Sequence, residues 1–378
     1  MKKNLWMLGV AVAALSSCTQ NEVLEVSNEK AISFDSFVEK SARATVDITK
    51  TNLKSFWVFG DKYVIGQTTG DYEDRLFDNE PVSKSGETWT YASPIRYWQS
   101  GKTYRFAAYS DANDSISTDP SKRPNIAYES KTTKVNENDV FDKILINNYT
   151  VGGKDLLLSL HGDINTDVAF PTSVELTFKH ALAKVVIEFQ SDADFEQSKL
   201  RISDVMINQA YKTGDCVYIY SANNENPSRP TWSAAADVDP TTYADSEDKK
   251  FLVGKTANSV EWYVLPQTFP TAEAEMPYLT FKYATYSKEY GDSDILLDNP
   301  EDEAGLDPIH VNDYQVTLDT QKTTTFSRWL AGYVYKYKIR YNASSTEEKP
   351  ILFTLSEVGV ETWKDGFNTD HFVEPTVK

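Results

Sequence analysis

The side chains able to do chemistry stand apart from one another. His161, His180, His310 and His371 occur singly, outside any His-Glu-x-x-His frame, and no Gly-x-Ser-x-Gly elbow is present. "VGGKD" at Val151 has the glycines of a phosphate loop without its spacing or a following helical pattern. The acidic stretch "GDSDILLDNPEDEAGLD", Gly291 to Asp307, carries oxygen ligands of the kind calcium prefers. It lacks the Asp-x-Asp-x-Asp-Gly register and the closing glutamate, so a solvated loop is expected. Cys216 sits in an apolar strand, where a free thiol behaves as a small buried hydrophobe. No nucleophile, general base or ligand cluster emerges, and the expectation is a non-enzyme without cofactor or metal.

Cys18 is different, because its context prescribes a reaction. "MKKNLWMLGVAVAALSSC" runs from two lysines through an apolar stretch, Leu5 to Leu15, to small residues, the order of an export signal. That stretch is shorter than the roughly 20 residues a spanning helix needs. Leu15-Ser16-Ser17-Cys18 matches a lipobox, so residues 1–17 are expected to be removed and the Cys18 thiol acylated. More than one acyl chain is needed for stable anchoring, and a triacylated Cys18 would hold the chain on a membrane. Once Cys18 is lipidated only Cys216 remains, so no disulfide within the chain is expected and stability must come from the core.

The 378 residues carry a net charge of −18, and removing the signal deletes two lysines and no acid. Phosphate binding needs a basic face, which argues against nucleic acid as a partner. The excess of acid suits solubility at a surface.

The elements that must position these residues are strands. "LKSFWVFG", "ETWTYAS", "KTYRFAAYS" and "DLLLSL" in the first half, and "SVELTFKHALAKVVIEFQ", "LRISDVMINQ", "SVEWYVLP", "PYLTFKYATYS" and "ILFTLSEVGVETW" in the second, are short alternating runs rich in β-formers. Turn-rich intervals separate them, and the fold class is all-β. Strand signals pause from His161 to Phe170, which sets a domain boundary near Pro171, with halves 44–171 and 172–378. "YVYKYKIRY" puts Tyr333, Tyr335, Tyr337, Ile339 and Tyr341 on one face. A core row is expected there, with a carbohydrate-stacking platform as the other reading.

Taken in order, the lipobox, "AISFDSFVEKSARAT", "YWQSGKTYRFAAYS", "DLLLSL", "VELTFKHALAKVVIEF", "YVLPQTF", "WLAGYVYKYKIRY" and "ILFTLSEVGVETW" resemble the fimbrillin-like proteins, pilin subunits of Gram-negative anaerobes. The resemblance implies two tandem transthyretin-like or immunoglobulin-like β-sandwich domains. It also implies partners: other fimbrial subunits, an arginine-specific surface protease, the outer membrane through the precursor's lipid, and a host or bacterial surface ligand. In such proteins the protease removes an N-terminal strand and the opened groove accepts a strand from another subunit. Here Arg43 and Ala44 flank the expected cut, making 18–43 a pro-segment. The bland alternative for Arg43 is an exposed charge ending an edge strand. Asp114-Ser115-Ile116 is similar to a short O-glycosylation sequon of such anaerobes, making Ser115 a candidate.

The residues fit that scheme physically. In "AISFDSFV", Ile32, Phe34, Ser36 and Val38 share one face, so this strand can complete a sandwich. Removing it would leave unpaired edges that favour strand addition. As donor, "PILFTLSEVGVETW" offers Ile351, Phe353 and Leu355 on one face, then Val358 and Val360 after a change of phase that suggests a bulge near Ser356. The same segment could instead be the last strand of its own sandwich, and the tail after Trp363 is a less apolar candidate. The functional expectation is a structural or adhesive fimbrial subunit. The alternative is a lipid-anchored, glycan-binding surface protein that does not polymerise.

Overall fold

The computed structural model describes residues 30–38, 53–65, 72–111, 124–130, 140–191, 195, 198–221, 229–235, 238–244, 249–297, 310–318, 328–341 and 353–362. Strands dominate them. A seven-stranded sheet runs in the order β1 (Phe34–Val38), β9 (Val174–His180), β8 (Leu157–Asn165), β5 (Lys102–Ser110), β2 (Ser55–Val64), β3 (Asp74–Ser85), β4 (Thr88–Tyr91). A second sheet joins β13 (Thr231–Ala234), β12 (Thr213–Ser221), β7 (Val140–Thr150) and β6 (Ile126–Ser130). A third joins β16 (Asn258–Val264), β10 (Ala183–Ser191), β21 (Tyr333–Tyr341) and β22 (Phe353–Thr362). The fourth joins β14 (Thr241–Ala244), β11 (Ser198–Ala210), β18 (Tyr278–Ser287) and β19 (His310–Thr317), with β15 (Phe251–Leu252) also on β11. A small ribbon pairs β17 (Gln267–Thr268) with β20 (Arg328–Trp329). The only α-helix among the described residues is α1 (Asp292–Leu297), and no helix there is long and apolar enough to cross a membrane.

The first sheet is packed on both faces, which explains why β2 and β5 read as nearly unbroken apolar runs. Along β2, Phe56 and Val58 join one cluster with Ile32, Phe34, Phe77 and Phe106. Trp57 and Phe59 point the other way, into a larger cluster with Tyr128 and Ile144 of the second sheet. That larger cluster continues between the third and fourth sheets, where Phe189 of β10 meets Phe281 of β18 edge-on at 5.0 Å.

Strand pairing runs across the expected boundary at Pro171. The polar end of β8, "HGDIN", pairs with β5, and β9 then returns to β8, so Pro171 lies in a connection inside the first sheet. The second sheet likewise pairs β7 with β12 from beyond Pro171. The changeover between clusters comes later, with Phe178 in the smaller one and Ala181 to Ala183 in the larger. A polar strand paired along its backbone reads as a pause in sequence, because its hydrogen bonds leave no mark on side-chain periodicity.

On β21 most of the expected row is buried: Tyr335, Tyr337, Ile339 and Tyr341 face the core while Tyr333 is half-buried, and burial pushes the Tyr335 phenol up to about 12. β22 pairs antiparallel with β21, placing Phe353 opposite Tyr341, Leu355 opposite Ile339, Val358 opposite Tyr337 and Val360 opposite Tyr335. The register shifts by one residue at Ser356. That bulge brings the backbone of all four opposite residues of the same row despite the change of phase.

Candidate functional site

Residues 30–38 alternate as a half-buried strand should. Ile32, Phe34 and Ser36 are 1%, 5% and 2% exposed, whereas Ala31 and Asp35 face solvent. Burying Ile32 and Phe34 contributes on the order of 1.5–3 kcal/mol each.

Phe34 is the anchor. Its ring lies edge-on to four others, at 5.3 Å from Phe77, 5.9 Å from Phe106, 6.0 Å from Tyr91 and 6.1 Å from Phe56. Edge-to-face pairs at such separations add about 0.5–1.5 kcal/mol beyond burial. Room for this cluster is made at Gly60, where a Cβ would come within 2.8 Å of both Phe77 and Phe106.

The backbone of the segment is divided between two partners. From Ser33 onward it runs parallel to β9: the Val174 amide donates to the Ser33 carbonyl at 2.8 Å, and Phe34 to Val38 pair with Val174 to Phe178. Before Ser33 it belongs to the chain that follows β4. There the Ile32 amide donates to Arg96 O at 2.8 Å, the Trp98 amide donates to Lys30 O at 3.0 Å, and the Tyr91 hydroxyl donates to Ile32 O at 2.9 Å. The segment therefore ties the β9 edge of the sheet to the β4 side. Arg96 is held in turn, by Glu80 at 3.0 Å, by Leu76 O at 3.0 Å, and by the rings of Phe77 and Tyr91 beneath its guanidinium.

A second cluster fastens the β6–β7 hairpin to the other face of this sheet. Asp61 of β2 accepts from Arg75 Nε at 2.8 Å and from the Ser130 hydroxyl, which also meets Tyr63. Arg105 of β5 donates to Asp163 at 2.5 Å and lies 3.6 Å from Asp142 of β7. Arg75 also reaches Tyr128 O at 3.1 Å. Burial outweighs the nearby Arg105 and pushes the Asp142 carboxyl up to about 7, with Asp163 and Asp61 adding to the rise.

The other candidate groups are structural. His180 Nδ1 bonds Asp155 at 2.5 Å in the core, and Asp155 also accepts from the Leu156 amide. Cys216 is buried, and that burial raises its thiol pKa. Of the acidic stretch, Asp292 pairs with Lys199 at 2.5 Å, while residues 298–309 lie outside the described residues. No group of three or more His, Cys, Asp or Glu among the described residues could hold a metal ion.

Of the expected site residues, Ile32 and Phe34 come together in the aromatic cluster, and the backbone of Val38 pairs with Phe178. Phe353, Leu355, Val358 and Val360 lie in β22, remote in sequence and in a different sheet. Cys18, Arg43, Ala44, Ser115 and Ile351 lie outside the described residues. Tyr91, Arg96 and Trp98 were not singled out from sequence. Their stretch, "YASPIRYW", has no strand period, and its one signal is a tryptophan inside a Pro-containing turn, a costly residue to leave exposed.

Comparison with known proteins agrees with this architecture. A fimbrial protein from Bacteroides vulgatus superimposes with a TM-score of 0.54 at 15% identity, covering 89% of this chain and 100% of that one, and so shares the fold. A cell adhesion protein from Bacteroides uniformis aligns over 89% of this chain and 99% of its own at 14% identity and a TM-score of 0.42. The fimbrial anchor protein Mfa2 from Porphyromonas gingivalis aligns over 89% of this chain and 99% of its own at 10% identity and a TM-score of 0.30. No curated protein matches the chain. The family description "Fimbrillin-like" matches residues 42–363, most of the sequence and nearly all of its strands. The chain belongs to the fimbrillin-like family.

Proposed function

We propose that this protein is a non-catalytic subunit of a cell-surface fimbrium, exported as a lipoprotein acylated at Cys18. A cut between Arg43 and Ala44 then releases the strand ahead of it, and a strand from another subunit takes its place. The observation that carries this reading is the position of residues 30–38. They supply Ile32 and Phe34 to a core made otherwise of residues beyond Arg43, so the rest of that core could accept another strand of the same pattern. The family match begins at residue 42, next to the proposed cut, which is consistent with a pro-segment ahead of the matched body.

β22, with Phe353, Leu355, Val358 and Val360, and with Ile351 just before it, is the proposed donor. It occupies an edge of its sheet and pairs with β21 alone among the described residues, a position from which a strand can leave without breaking a ladder on its other side. Ser115 is kept as a proposed glycosylation site. The partners follow from this reading: other subunits, an arginine-specific surface protease, the outer membrane for the precursor, and a surface ligand for the assembled form. The glycan-binding alternative draws little support from the tyrosine row of β21, because Tyr335, Tyr337 and Tyr341 are spent in the core.

The test is mass spectrometry of the protein recovered from the cell surface. Polymer whose subunits begin at Ala44, and its loss in Arg43→Ala, is the expected result. Surface polymer that retains an acylated Cys18 would overturn the cleavage step.

A further inference from the structure

The two halves of residues 30–38 are bonded to different partners, and the halves differ in where they stand relative to the end a cut would create. Ser33 to Val38 lie on β9, and Val38 is the described residue nearest Arg43. Lys30 to Ile32 lie on Arg96 to Trp98, with the Tyr91 hydroxyl on Ile32 O and the Arg96 amide donating to that same hydroxyl at 3.2 Å. Phe34, at the junction, is seated among four rings. A strand frays from its free end, and each hydrogen bond or buried ring must be given up in order.

We propose that residues 91–98 form a clasp that retains the severed N-terminal strand, so that cleavage alone does not empty the site. Replacement begins at the Val38 end along β9 and finishes only when the incoming strand reaches Phe34. This rests on the strand-exchange reading and adds its regulation. The resting occupant leaves in two stages, β9 half first and clasp half last. The register on β9 also states what the newcomer must bring: an extended strand running parallel to β9, with a large ring opposite Val174, the place of Phe34. A strand of a second subunit with that pattern is the occupant.

The test uses the full-length chain with a recognition sequence for a site-specific protease inserted after Arg43. After cutting, native size-exclusion chromatography and mass spectrometry follow the N-terminal fragment. The fragment should co-elute with the body. Tyr91→Phe, which removes one hydroxyl from the clasp, should speed its loss by roughly two- to tenfold. A synthetic peptide of residues 30–38 should displace the fragment, and a peptide of residues 30–34, which lacks the β9 half, should not. Release of the wild-type fragment within the dead time, an unchanged rate in Tyr91→Phe, or equal displacement by both peptides would each overturn the proposal. Because the cut is engineered, absence of processing at the native Arg43 would remove the exchange reading without deciding this result.

Discussion

The ring of Phe34 meets the ring of Phe77 edge-on at 5.3 Å, so the first described strand and β3 share one aromatic cluster although no backbone ladder joins them. That contact makes the N-terminal segment part of the core. Phe34→Ala should destabilise the uncut protein by about 3–5 kcal/mol, the range for deleting a buried ring. Asp35→Ala, on the solvent side of the same strand, should cost no more than about 1 kcal/mol, the loss of the bond its carboxylate accepts from the Ser36 amide at 2.8 Å. Denaturant unfolding of the two variants checks the contrast.

Gly60 should resist substitution for a reason unrelated to turn geometry. Its missing Cβ is the space into which Phe77 and Phe106 pack. Gly60→Ala should cost about 1–3 kcal/mol by overpacking and should weaken retention of residues 30–38 as the rings around Phe34 are pushed aside. A melt together with limited proteolysis of the N-terminal segment reads both effects.

Ser36 is buried, and its hydroxyl has no hydrogen-bond partner among the described residues. A buried polar group left unsatisfied costs about 1–3 kcal/mol. Ser36→Ala should therefore stabilise the uncut form by about 1 kcal/mol and slow departure of the strand. A lower melting temperature in this variant would contradict the assignment.

Asp142 gives the stability a dependence on pH. Its carboxyl is pushed up to about 7 from an ordinary value of 3.8, so between these two values the folded state holds a proton that the unfolded chain has released. Its contribution is complete below roughly pH 4 and falls as pH rises through the window. It is gone above roughly pH 7, where a charge must sit among Arg105, Asp163, Asp61, Tyr128 and Tyr63. Asp142→Asn keeps the neutral shape and should flatten this part of the profile. Unfolding free energies of wild type and variant across pH 4 to 8 provide the measurement.

Features of period two were legible in the residues. The inward set Ile32, Phe34 and Ser36, the tyrosine row of β21, and the phase change that becomes the bulge at Ser356 all follow from strand geometry, because successive side chains alternate faces wherever the strand lies. Partnership between distant strands was decided only in three dimensions. Nothing local in "HGDIN" or "VELTFKH" announces that β8 and β9 finish the first sheet. The unbroken apolar run of β2 is compatible with several burials until a second sheet is seen to cover its other face.

The clasp and the charge cluster belong to the same class. Arg96 and Trp98 act on Lys30 to Ile32 through backbone atoms and Tyr91 through its hydroxyl, and Asp61, Arg75, Arg105, Asp142 and Asp163 meet from five strands. The sequence by itself determined which side of the alternating strands is apolar. Tertiary structure decided which edge the N-terminal strand closes and what holds it there, because hydrogen bonding between remote backbones and the desolvation of buried charge depend on neighbours that no local pattern encodes.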